Sequence, residues 1–201
     1  MGIIDQGIIV LFLLGIASFG IWQKRFNKTT NDYFLAGRDL PWWTAMFSIV
    51  ATETSVLTFI SVPGIAYRGN WFFLQLAMGY ILGRILVSFF LLPGYYGKGI
   101  TSIYESLEEK FGSGVQKTAS LIFMVTRVLA DGVRFLATAA IVQVVSGWSL
   151  PVSILVIGIV TLIYTWSGGI RTVVWIDSFQ FILYLSGAII SIFFLVNYIG
   201  L

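Results

Sequence analysis

Between Pro41 and Tyr67 the chain reads PWWTAMFSIVATETSVLTFISVPGIAY, an apolar stretch whose middle is the polar run Ala51-Thr52-Glu53-Thr54-Ser55. The stretch is long enough to cross a bilayer, which takes roughly 20 residues of helix. A carboxylate at the centre of such a span costs about 2.5–3.5 kcal/mol on insertion scales, and the hydroxyls beside it also need partners. A run of this kind is tolerated where it lines a cavity or is paired inside a bundle. A helix interrupted at mid-membrane also offers backbone carbonyls to a cation.

The rest of the chain agrees with a membrane setting. Of its 201 residues 58% are hydrophobic and 10% charged, and the mean hydropathy is +0.92. These values exclude a soluble domain and make the chain an all-α polytopic membrane protein. There is no Cys and no His, which excludes thiol chemistry, a disulfide frame and His-ligated metal. With no HExxH and no Gly-rich phosphate loop either, an enzyme is not expected. The net charge of +3 sits in short loops between apolar spans and does not indicate nucleic acid. Ile3 to Trp22 is too long for a signal h-region, lacks a basic n-region and precedes Lys24 and Arg25; it reads as a first spanning helix.

Six transmembrane helices are expected, at about 3–22, 42–67, 71–96, 116–146, 151–166 and 173–198. Asp39 is placed to cap a helix beginning at Pro41. Arg68-Gly69-Asn70 and Ser146 to Pro151 read as tight turns, and Gly168-Gly169 breaks the chain before the last span. TSIYESLEEKF reads as a short surface helix capped by Thr101 or Ser102. The fourth span, at 31 residues or about 46 Å of helix, is longer than one perpendicular crossing. Linkers 23–40, 94–116 and 167–172, with Lys117, hold eight of the twelve basic residues. The positive-inside rule puts these linkers in the cytoplasm and both termini outside. Trp42, Trp43, Trp71, Trp148, Trp166 and Trp175 fall at expected span ends, as an interfacial belt does.

Ionisable residues within spans are candidates for function or for structural pairing. Arg127, Asp131 and Arg134 share one helix face and can neutralise one another in part, either as a buried ion-paired stripe or as the lining of a pathway. Arg84, just after the Gly79/Gly83 GxxxG spacing, is expected to pair or snorkel. Glu53 is either a protonated acid hydrogen-bonded across helices or a cation or substrate contact. Asp177, with Gln180 one turn later, is either a helix-start carboxylate near the interface or part of a path.

Three patches resemble the sodium/solute symporter family. They are Asp32-Tyr33-Phe34-Leu35-Ala36-Gly37-Arg38 followed by Leu40-Pro41-Trp42-Trp43; the run ATETSVLTFISVPGIAY; and Tyr164-Thr165-Trp166-Ser167-Gly168-Gly169 with Val173-Val174-Trp175-Ile176-Asp177 and Gln180. In the last patch the family carries Thr or Ser before the Asp, where this chain has Ile176. The resemblance covers nearly the whole chain. It implies a LeuT-type fold: residues 1–40 as a leading helix and cytoplasmic linker, and 41–201 as the first five-helix repeat with a broken first core helix. The two parts form a single membrane domain, and the second, inverted repeat is absent. By residue matching it implies a partial sodium site at Ala51, Thr54, Glu53 and Asp177, and solute contacts at Glu53, Ser55 and Thr58.

The implied activity is sodium-coupled symport of a small organic solute by alternating access, with sodium as coupling ion and no other cofactor. The expected partners are sodium, the solute, the lipid bilayer and the missing C-terminal repeat. The competing expectation is a non-transporting membrane subunit, or a truncated product that needs a second half.

Overall fold

A computed structural model describes residues 3–94 and 102–200, which hold helices and no strand. The helices are α1 (Ile3–Gln23), α2 (Thr30–Leu35), α3 (Trp42–Glu53), α4 (Val56–Arg68), α5 (Phe72–Leu86), α6 (Ile103–Phe111), α7 (Ser113–Ser146) and α8 (Leu150–Ile199). The chain divides into two compact units, Met1–Val56 with Leu136–Leu201, and Leu57–Phe135.

Among the described residues, Ile4–Phe26, Phe72–Gly94, Ser113–Ser146 and Leu150–Ile199 are long and apolar enough to cross a membrane; α3 and α4 make a fifth if the pair is one broken span. The expected six is reached only by dividing α8. At 50 residues it would run about 75 Å unbroken, far beyond a hydrocarbon core of about 30 Å. Gly169 divides it, with φ 61° and ψ −163°, a backbone region essentially reserved for glycine. The expected fifth and sixth spans fall on either side of that break.

In the first unit α1, α2 and α3 all pack on α8, and small or polar side chains mediate the contacts. The buried apolar residues are few (Ile16, Ala36, Ala139, Val174 and Ile176), while Gln23, Thr44, Ser48, Ser146, Ser153, Thr172 and Ser178 are buried polar ones. This is the distribution expected where lipid solvates the large apolar side chains and small residues let helices approach. Gly20 shows the closeness: a Cβ there would lie 2.5 Å from Tyr164 Cα. Near the other end of α1, Gln6 Nε2 donates to Ser146 O at 2.9 Å. Ser146 also receives the Trp148 N–H at 3.1 Å, and Gly147, at φ 77°, ends α7 in the left-handed conformation that terminates helices.

The linker after α1 is folded. Thr29 and Asp32 form a reciprocal capping box at the start of α2, with Asp32 N–H donating to Thr29 Oγ1 at 3.1 Å and Thr29 N–H to Asp32 Oδ2 at 2.9 Å. Ala36, Gly37 and Arg38 then take positive φ in succession and turn the chain toward α3. The expectation that Asp39 caps α3 is corrected. Pro41 is the N-cap residue and no side chain caps it, because Asp39 instead forms an ion pair with Arg171. A charged, hydrogen-bonded partner outweighs one exposed N–H.

In the second unit, α5 runs into a π-helical turn at Val87–Leu91. Ser102 caps α6 by accepting the Tyr104 N–H at 3.3 Å; the alternative cap, Thr101, lies outside the described residues. Tyr104 packs on Phe123 of α7 at 6.0 Å between ring centroids. Gly79 and Gly83 have no neighbour within 4 Å of a Cβ position, so among the described residues nothing packs on that GxxxG face. Arg127 Nε meets Asp131 Oδ2 at 2.8 Å, as their four-residue spacing implies.

Candidate functional site

The Pro41–Tyr67 stretch breaks inside its polar run. α3 ends at Glu53, Thr54 takes φ −88° and ψ 101°, and its N–H makes the last cap bond, to Val50 O at 2.9 Å. Helix ends leave carbonyls without intrahelical partners, and Ala51 is the next carbonyl after Val50. Thr54 and Ser55 lie between the helices. Glu53 is exposed, and Ala51, Thr54 and Ser55 are half-buried. Thr58 belongs to the second unit, in the first turn of α4.

α3 presents Thr44, Ser48 and Thr52 at four-residue intervals, a spacing that puts them along one face. That face meets α8 just past its break. Ser48 Oγ donates to Asp177 Oδ2 at 2.7 Å and Thr52 Oγ1 to the same oxygen at 3.4 Å. One turn of α3 nearer its start, Ser178 Oγ reaches Thr44 O at 3.1 Å and Val174 O at 2.7 Å, while Thr44 Oγ1 donates to Pro41 O at 2.7 Å. Aromatic pairs flank the seam: Trp43 against Trp175 at 5.5 Å and Phe47 against Phe181 at 5.0 Å. They pack α3 on α8 beside Thr44 and Ser48, both buried, while Thr52 is exposed.

The structure therefore brings Asp177 together with the end of α3. Its carboxylate contacts Thr52, the residue before Glu53. Ser48 is a partner that sequence reasoning missed; the four-residue run of hydroxyls in an apolar helix was the available signal. Ile176, which stands where the family resemblance has a hydroxyl residue, is 4% exposed and lines a groove shared with α1. The hydroxyls on Asp177 come from α3 instead. The oxygens gathered here are one carboxylate and two hydroxyls beside a helix end, donors suited to a hard cation. Among the described residues no three His, Cys, Asp or Glu side chains converge.

The break in α8 is held by the linker. Tyr33 Oη donates to Thr165 O at 3.2 Å, and Arg171 Nη2 donates to Ala36 O at 2.9 Å and pairs with Asp39. A Cβ on Gly169 would lie 2.7 Å from Tyr33 O, and one on Gly168 would overlap the Thr172 side chain. Both glycines are required by close approach. Outside the spans, hydrogen bonds from the Thr29 side chain, then from the backbone of Thr29 and of Lys28, hold the Asp32 carboxyl below the usual aspartate range, and Arg171 adds to the effect.

Residues 33–200 match the profile of the Sodium:solute symporter family (SSF). The human sodium/iodide cotransporter is 33% identical over 186 residues, covering 91% of this chain and 29% of that protein. The sodium/sialic acid symporter of Proteus mirabilis is 33% identical over 195 residues, covering 97% of this chain and 39% of that protein. A solved structure of a Na+-coupled sialic acid symporter, substrate-bound and outward-open, superposes with a TM-score of 0.88 at 33% identity, over 94% of this chain and 39% of that one. The chain thus spans roughly three to four tenths of the length of these relatives.

Proposed function

Because this chain belongs to the sodium:solute symporter family, we propose that it supplies part of a secondary transporter moving a small organic solute with sodium by alternating access. The observation that carries the reading is the hydrogen-bonded set Ser48–Asp177–Thr52, abutting the break after Glu53. A cation at mid-membrane needs oxygen ligands fixed in place without bulk water, and an interrupted helix next to a carboxylate offers them.

In this reading Ala51, Thr54, Glu53 and Asp177 contribute to the sodium site. Glu53, Ser55 and Thr58 face the solute. Ser48 and Thr52 position the Asp177 carboxylate. The relatives named above are described as carrying iodide and sialic acid, so the family likeness alone selects no solute for this chain. Basic residues such as Lys24, Arg25, Lys28 and Arg38 favour a cytoplasmic 23–40 linker, and hence both ends of this segment on the outer face of a cell membrane.

The second reading is a non-transporting membrane subunit, or a truncated product that needs a second half. It is favoured by the share of each relative that the chain spans. Reconstitution tests the first reading. Purified 201-residue chain in liposomes is loaded with a sodium gradient, and uptake of radiolabelled sodium is followed with and without candidate sugars, amino acids and carboxylates. The expected result is no sodium-coupled uptake by the chain alone, and uptake that depends on Asp177 once the chain is expressed within a full-length transporter. Failure of Asp177→Asn to alter the full-length protein's sodium dependence overturns the site.

A further inference from the structure

A groove runs between α1 and the part of α8 that follows Gly169. Its apolar portion, ≈ 440 Å³, is lined by residues that include Leu11, Gly15, Ile16, Phe19, Trp175 and Phe179. Phe19 and Trp175 also line a second cavity of ≈ 350 Å³, which continues past Trp22 and Phe26 to Gln23 and Arg171. One path therefore leads from hydrocarbon to the end of a spanning helix, where Lys24 and Arg25 follow.

The polar end differs from an ordinary lipid-facing surface. Gln23 is only 5% exposed. Among the described residues its Oε1 has no hydrogen-bond partner, and neither has the buried Arg171 Nε. Buried polar atoms are normally paired. The two orphans are complementary: Oε1 needs a donor and Nε–H needs an acceptor. Arg171 uses Nη2 for Ala36 O and Asp39, and Asp32 is taken up by Thr29 and Lys28, which leaves Nε for another oxygen. Arg25 stacks its guanidinium over Trp22, 3.9 Å from the ring centroid, so a second cation is held at the cavity wall.

We propose that this groove holds one phosphatidylglycerol molecule, an acyl chain between α1 and α8 and the head group at Gln23 and Arg171. The phosphate supplies the acceptor for Arg171 Nε–H. A glycerol hydroxyl supplies the donor for Gln23 Oε1. Phosphatidylcholine has the phosphate without a donor, and its quaternary ammonium faces Lys24 and Arg25. A packed segment from another part of a transporter is the competing occupant, and a wild type that retains no lipid would favour it.

The test compares lipid retention and contact. The wild-type chain is extracted in mild detergent and its bound phospholipid counted by native mass spectrometry. Quenching of its tryptophans is then titrated with brominated phosphatidylglycerol, phosphatidylethanolamine or phosphatidylcholine. Gly15→Leu fills the groove at a position where a Cβ meets nothing within 4 Å, and Gln23→Leu removes the acceptor. Phosphatidylglycerol should be retained and should quench preferentially, and each variant should weaken it about five-fold with unchanged thermal unfolding. If Gln23→Leu does not fold, Gly15→Leu decides alone. No retained lipid in the wild type, equal quenching by the three lipids, or indifference to Gly15→Leu overturns the proposal.

Discussion

Ser48 and Asp177, 129 residues apart in the chain, meet through a 2.7 Å hydrogen bond from Oγ to Oδ2. It ties the middle of the interrupted helix α3 to α8, about two turns beyond that helix's own break at Gly169. Thr52 gives the same oxygen a longer contact, at 3.4 Å, so Ser48 carries most of the interaction.

Removing the shorter bond should be measurable. Hydrogen bonds between membrane helices contribute about 0.6 kcal/mol on average and up to about 1.7, so Ser48→Ala should lower stability in detergent by roughly that amount, read by chemical unfolding. Ser48→Thr should restore most of it. In a cycle with Asp177→Asn the two losses should fall short of adding, because the residues share one interaction. Additive losses would show that the contact contributes nothing.

The α8 break should not tolerate a side chain. Gly169→Ala puts a Cβ at 2.7 Å from Tyr33 O in a backbone region whose strain costs on the order of 1–3 kcal/mol. Folded yield and midpoint should both fall. Gly79→Ala, in the interior of α5 with open space around it, should be neutral or stabilising by about 0.5–1 kcal/mol. Equal behaviour of the two variants would mean that the linker does not clamp the break.

Much of this framework was legible in the sequence. The polar run after Val50 marked the break at Thr54–Ser55, Gly168-Gly169 marked the division of α8, and Ser102 was one of two recognisable caps beside Thr101, since all three are written in neighbouring residues. Asp39 was misread because it lies beside Pro41 in sequence, whereas its partner Arg171 is 132 residues away. The Ser48–Asp177 pair escaped for the same reason. Hydroxyl periodicity shows which face of α3 is polar, but not which helix will receive it.

Within a full-length transporter, Glu53→Gln keeps the side chain's shape and removes its charge. The sodium concentration for half-maximal uptake should rise about ten-fold, equivalent to losing about 1.4 kcal/mol of cation binding. Uptake measured against external sodium gives the answer. An unchanged curve would assign Glu53 a structural hydrogen-bonding role.

The capping box at Thr29 makes linker order depend on pH. The Asp32 carboxyl is held below its ordinary range, chiefly by the Thr29 side chain. Its contribution is therefore fully present above the unfolded pKa of about 3.9 and is lost as pH falls through the lower folded value. Amide exchange at Thr29 and Asp32 should stay slow down to that range and then quicken. Thr29→Ala should move the onset upward; no movement would show that the box does not set the carboxyl.

Membrane placement has a direct test, because the native chain has no Cys. Single cysteines at Asn27 and Ser113 should be shielded from an impermeant thiol reagent added to intact cells. Rapid labelling of both would reverse the proposed orientation.

Ser178 has one hydroxyl hydrogen and two carbonyls within reach, Val174 O on its own helix and Thr44 O on α3. It can surrender the interhelical bond and still be satisfied. Were α3 to slide or tilt on α8, this one contact would be exchanged rather than broken, whereas the Trp43–Trp175 and Phe47–Phe181 ring pairs would have to repack. At this seam Ser178 is thus an adaptable contact, while Ser48 and Thr52, both on Asp177 Oδ2, are the ones a displacement of α3 would break.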